Sequence, residues 1–124
     1  LKAISIPFLW AADPRVVLAY ASEAERAAAL ARPQVKRTPY SLVEAADLEA
    51  RSAEIRQQDY EFVADDFITG LAALGVPIMN RDGRWVAALS ITNLTDRFAL
   101  DTQGVPVWLL AMQMATARLG GRMT

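Results

Sequence analysis

Two apolar runs, Leu71–Met79 and residues 84–92, flank Asn80-Arg81-Asp82-Gly83. An Asp-Gly step between apolar runs of strand length predicts a β-hairpin. With Met79 opposite Arg84, the expected cross-strand pairs are Ile78 with Trp85, Val76 with Ala87, Leu74 with Leu89 and Ala72 with Ile91. Strand side chains alternate, so these eight share one bulky face. The other face carries Leu71, Ala73, Gly75 and Pro77 against Val86, Ala88, Ser90 and Thr92. That face is mostly small, with two hydroxyls. The bulky face needs a helix upon it, with Leu74, Val76, Leu89 and Ile91 buried. The small face fits one of two things: a close-packed helix, or open space for a ligand.

The remaining elements follow from caps and breakers. Residues 1–6 alternate enough for a strand, closed by Pro7. Asp13-Pro14 reads as an N-cap acid and first helical residue, opening an apolar helix over residues 15–20. Ser22-Glu23-Ala24-Glu25 is a capping box, and its helix stops before Pro33. Ser41-Leu42-Val43-Glu44 reads as a second box. It opens a helix to about Arg56, with Ala45, Leu48, Ser52 and Ile55 on its inner side. A short strand separates this helix from the hairpin. After an irregular stretch over residues 93–104, Pro106 opens a last helix, residues 107–119, with Gly120 as its stop. Its Trp108, Ala111, Met112, Ala115 and Leu119 are expected to cover the bulky face. The pattern predicts an α+β (α/β) domain, an antiparallel β-sheet flanked by helices.

Composition removes several functions. The 124 residues contain no cysteine, which excludes disulfides and thiolate chemistry, and no histidine, the commonest general base and metal ligand. A net charge of −1 with intermixed signs leaves no basic stripe for duplex DNA. No apolar run approaches the roughly 20 residues that span a bilayer. A cytoplasmic location is expected, with no membrane contact, cofactor or metal. Asp59, Glu61, Asp65 and Asp66 leave open a carboxylate-dependent enzyme, since paired acids act as acid and base or hold a divalent cation. A solvated loop explains them more simply.

Three stretches, in order and in register, resemble the C-terminal effector-binding domain of the IclR family of bacterial transcription regulators. The first runs Pro7-Phe8-Leu9-Trp10-Ala11-Ala12-Asp13-Pro14-Arg15-Val16-Val17-Leu18-Ala19. The second comprises the helix from Glu23, Arg32-Pro33, Thr38-Pro39 and the helix leading into Asp59-Tyr60, where the family usually has Gly-Tyr. The third is Gly70, Pro77-Ile78, Asp82-Gly83 and Val86-Ala87-Ala88-Leu89-Ser90-Ile91. The resemblance extends over residues 1–124. It implies a GAF-like (profilin-like) fold that senses a small-molecule effector and works as a homodimer or homotetramer. DNA would be bound only through an N-terminal winged helix-turn-helix, and the resemblance leads one to expect that element and the first elements of the effector domain to fall outside these residues.

The resemblance also implies a pocket on one side of the sheet, formed by Ala11, Ala12, Val63, Leu71, Ala73, Ser90 and Thr92. Ala73, Leu71, Ser90 and Thr92 fall on the small hairpin face that alternation alone identifies. Many relatives carry an acid at Val63, a cysteine at Ala73, a threonine at Ala11, a histidine at Leu9 and a glycine at Pro14. Each difference removes polarity or flexibility. With Phe8, Trp10 and Leu71 near the rim, an apolar or aromatic effector with one polar end is expected. Loss of those polar anchors also fits a regulator module that only dimerises and binds no ligand.

Overall fold

The structure is a computed structural model that describes residues 12–123. The expected strand over residues 1–6, the rim residues Phe8, Leu9 and Trp10, and the pocket candidate Ala11 lie outside the described residues. Helices α1 (Ala12–Tyr20), α2 (Glu23–Leu30) and α3 (Ala45–Gln58) precede strands β1 (Glu61–Ala64), β2 (Leu71–Met79) and β3 (Trp85–Leu94). A 3-10 turn, Thr95–Arg97, and helix α4 (Leu109–Gly121) complete the order. The strands form one antiparallel sheet in the order β1-β2-β3.

The hairpin forms, but its register differs from the expected one by two residues. Leu74 pairs with Ile91, Gly75 with Ser90, Val76 with Leu89 and Ile78 with Ala87. The turn accounts for one residue of the shift, because Trp85 rather than Arg84 stands opposite Met79. Asn80 Oδ1 accepts from the Asp82 and Arg84 N–H groups at 2.9 and 3.0 Å, and Gly83 takes a left-handed φ of 77°. A bulge between Ile78 and Met79 accounts for the other. A slip of one residue exchanges the faces of a strand, and a slip of two restores them. The division into bulky and small faces is therefore as expected.

Helix α4 covers the bulky face. Ala72, Leu74 and Val76 bury against Leu109, Met112 and Phe98. The Phe98 ring lies 5.3 Å from that of Phe62 and 5.0 Å from that of Trp108, centroid to centroid. The phase of α4 departs from the expected stripe: Leu109, Met112, Thr116 and Gly120 face inward, while Ala111, Ala115 and Leu119 are exposed. Gly120 does not stop the helix. Its missing side chain lets the helix backbone press on the Met79 carbonyl, and that contact sets the rotation. Because α4 lies along β2 and barely reaches β3, Leu89 is only half-buried and Ile91 is exposed.

The small face receives α1. A Cβ on Gly75 would lie 3.0 Å from Ala12 Cβ, and Val16 and Ala19 pack with Ile55 beside Ala88. Asp13 and Pro14 lie within the first turn of α1, not before it, where the backbone N–H that proline lacks would have no helical acceptor. Leu18 joins Leu48 beneath Ala29, Leu30 and Leu42, so α3 and α2 stack on α1 away from the sheet. The capping box at Ser22 forms, with Ser22 Oγ accepting from Glu25 N–H at 3.1 Å and Glu25 Oε1 accepting from Ser22 N–H at 2.9 Å.

The box expected at Ser41 does not form. Glu44 is the N-cap residue of α3 and gives no side-chain cap, and the helix runs on to Gln58. Ser41 Oγ instead accepts from the N–H groups of Arg37 and Thr38 and donates to the Asp66 carbonyl. A buried hydroxyl with three backbone partners is better satisfied there than at a helix end. Within α3, Leu48, Ser52 and Ile55 are buried as expected and Ala45 is exposed. Asp59 ends α3 at φ 61°, the left-handed position that glycine usually fills, and its carboxylate accepts from the Tyr20 hydroxyl at 2.6 Å. That bond and partial burial push the Tyr20 hydroxyl well above its usual range, burial contributing most.

Candidate functional site

Val63, Ala73 and Thr92 form one row across the sheet, since Ala73 pairs with Val63 on β1 and with Thr92 on β3. All three project from the small face, beyond the point where α1 closes on Gly75. The row floors a cleft of about 250 Å³, walled by Leu71, Ala72, Asp66 and Phe67. The small face is thus divided. Its Gly75 end is packed shut by a helix, and among the described residues its Thr92 end is open.

The loop between β1 and β2 supplies the upper wall and is held at both ends. Asp65 adopts a left-handed φ of 67°, and its Oδ1 accepts from Gly70 N–H at 2.6 Å. Its carbonyl accepts from Thr38 Oγ1 at 2.5 Å, and the Asp66 carbonyl accepts from Ser41 Oγ at 2.5 Å. Between these anchors Phe67 and Ile68 project, 41% and 47% exposed, and the Arg37 guanidinium lies 5.1 Å from the Phe67 ring centre.

Beneath the loop lies an ion network. Arg15 is 3% exposed and donates to Glu61 Oε2 at 3.3 Å and to Asp66 Oδ2. Arg51 Nε donates to the same Glu61 oxygen at 2.8 Å and Arg51 Nη1 to Glu54 at 3.3 Å. Glu61 Oε1 accepts from Phe62 N–H at 2.9 Å. Burial pushes the Glu61 carboxyl above its ordinary value, against the pull of Arg51 and Arg15. The network joins α1, α3, β1 and the loop, and Asp66 carries it to the cleft wall. The four acids that left an enzyme open are each engaged in holding the fold. Asp59 caps α3, Glu61 and Asp66 pair with arginines, and Asp65 fixes the loop. Among the described residues no three acids group closely enough to hold a metal ion.

Of the residues expected from sequence, Val63, Leu71, Ala73 and Thr92 line the cleft. Ala12 is fully buried behind Val63 and Ala73. Ser90 stands one row further along, half-buried opposite Gly75, and is not part of the lining. Asp66 was legible only as one of four neighbouring acids, and Phe67 and Arg15 were missed. A lone arginine directly before the apolar run Val16-Val17-Leu18 was the available signal for a buried partner acid.

The family model for the bacterial transcriptional regulator IclR C-terminal region matches residues 5–118. The HTH-type transcriptional regulator XynR of Escherichia coli (strain K12) is 33% identical over 84 residues, 67% of this chain and 33% of XynR. The IclR transcriptional regulator of Alicyclobacillus acidocaldarius superposes with a TM-score of 0.76 at 23% identity, covering 89% of this chain and 43% of that one. The inducer-binding domain of the PobR transcription factor of Acinetobacter, solved as a double mutant in complex with 3-hydroxybenzoic acid, gives a TM-score of 0.69 at 20% identity. It covers 90% of this chain and 61% of that one. The chain thus spans a third of XynR and under half of the Alicyclobacillus protein. These are regulators, a non-catalytic class. The chain belongs to the IclR family of bacterial transcriptional regulators, as their C-terminal, effector-sensing domain.

Proposed function

We propose that the cleft at the Thr92 end of the small face is where this domain takes its effector, a small molecule with an apolar or aromatic body and one polar end. The observation that carries the reading is the open row Val63–Ala73–Thr92 on a face otherwise packed shut. Apolar walls with a few placed polar groups are what small-molecule sites offer. A cavity of roughly 150 Å³ takes up benzene, so about 250 Å³ accommodates one ring with a short substituent. The aromatic acid held by the PobR inducer-binding domain is of that size class. Ala12 backs the site, and Ser90 borders it for a longer ligand.

The domain is of the GAF-like type. It acts within a homodimer or homotetramer in the cytoplasm, and a winged helix-turn-helix outside this chain contacts DNA. Occupation of the cleft changes the affinity of that module for its operator. The test is mass spectrometry of small molecules released from purified protein, with Ala73→Phe beside the parent. A co-purified molecule present in the parent and missing from a folded Ala73→Phe supports the site. An equal load in both places the ligand elsewhere.

A further inference from the structure

We infer that the cleft selects a ligand whose polar end is a hydrogen-bond donor, a hydroxyl or an amine, and discriminates against carboxylates. The inference rests on the reading of the cleft as the effector site and names the ligand class. Two polar side chains line the cleft among the described residues, Thr92 and Asp66. Asp66 is only 7% exposed, and its hydrogen bonds with Arg15 and with Leu42 N–H (3.1 Å) both fall on Oδ2. Among the described residues Oδ1 has no hydrogen-bond partner. Oδ1 is therefore an acceptor still open to solvent, on a residue that lines the cleft, and a ligand donor can take the place of water there.

The charge of the wall points the same way. Arg15 is buried, is not among the residues that line the cleft, and bonds with both Asp66 and Glu61. A ligand carboxylate in the cleft would meet the Asp66 carboxylate on the wall, where no arginine is part of the lining among the described residues. Like charges brought together out of water cost several kcal/mol. A hydroxyl or ammonium would donate to Asp66 Oδ1, leaving its ring among Val63, Leu71, Ala73 and Phe67. The Thr92 hydroxyl can accept or donate, so by itself it selects neither ligand type.

Benzyl alcohol, benzylamine and benzoate carry the same ring and differ only in the polar end. The chain, its Ala73→Phe variant, Thr92→Val and Asp66→Asn are each titrated with the three, by calorimetry and ligand-observed NMR. The alcohol and amine should bind the parent about tenfold or more tightly than benzoate, and Ala73→Phe should abolish binding. Thr92→Val should weaken the alcohol by about two- to tenfold, and Asp66→Asn should bring benzoate level with it. If Asp66→Asn does not fold by circular dichroism, the ranking on the parent and on Thr92→Val decides. Benzoate binding the parent as tightly as the alcohol, and competing for the same cleft, overturns the inference and leaves the effector site standing. No binding by any of the three, or binding untouched by Ala73→Phe, overturns both.

Discussion

Gly75 lies directly beneath Ala12, where an added Cβ would come within 3.0 Å of the Ala12 Cβ and 3.2 Å of its main chain. Two positions along β2, on the same face, Ala73 looks into the cleft. One sheet surface thus serves as helix seat and as ligand floor, and the two ends should answer differently to enlargement. Gly75→Leu should cost about 1–3 kcal/mol or more by overpacking against α1. Ala73→Phe should cost less, because its ring has the cleft to enter. Urea melts of both variants check this, and equal losses would mean that the cleft is closed.

Arg15 holds two buried acids, and its removal should show as a pH-dependent defect. Arg15→Met should lose roughly 3–5 kcal/mol near neutral pH, the cost of stripping a partner from a buried pair. Glu61 is held above its ordinary value of 4.5, so the folded state binds its proton more readily than the unfolded chain does. Its contribution is complete below 4.5 and is lost as pH rises through the raised folded value. Without Arg15 that value rises further, so Arg15→Met should recover on acidification and Glu61→Gln should flatten the parent's dependence. Melting temperatures measured from about pH 4.5 to 7.5 test the sign. A pH-independent Arg15→Met would contradict it.

Gly120 should tolerate no side chain. A Cβ there would lie 2.9 Å from the Met79 carbonyl carbon and closer still to its oxygen, both backbone atoms that cannot rotate away. Gly120→Ala should cost about 3 kcal/mol, the upper end of overpacking losses, although alanine favours a helix. Gly121, with nothing within 4 Å, is the control: Gly121→Ala should be neutral or mildly stabilising. Thermal denaturation of the two variants separates them.

Ser22 and Ser41 look alike in sequence and should not behave alike. Ser22→Ala removes a helix cap worth about 1 kcal/mol, and α2 buries no side chain, so the loss should appear as local fraying. Ser41→Ala deprives the Arg37 and Thr38 N–H groups of their acceptor and the Asp66 carbonyl of a donor, at about 1–3 kcal/mol. Hydrogen exchange should therefore rise in the loop over the cleft for Ser41→Ala alone.

The hairpin, its two unlike faces, the helix at Ser22 and the family were legible in the residues, because period-two alternation, cap spacing and motif order are local properties. Register was legible only modulo two: the turn and the bulge at Ile78/Met79 each move it by one residue, yet burial of one face forbids an odd net slip. The rotation of α4 was not legible. Trp108, Ala111, Met112, Ala115 and Leu119 are apolar at helical spacing, but the close approach of Gly120 to Met79 selects a different set. Nor does alternation tell which part of a small face is covered. Ser90 and Thr92 are equivalent in the strand pattern, and only the placement of α1 over Gly75 leaves Thr92 in the cleft and Ser90 outside it. The same holds for charge. That Arg15 meets Glu61 and Asp66, 46 and 51 residues away, is a fact of the tertiary fold, because partners so distant in sequence are chosen by packing and not by spacing.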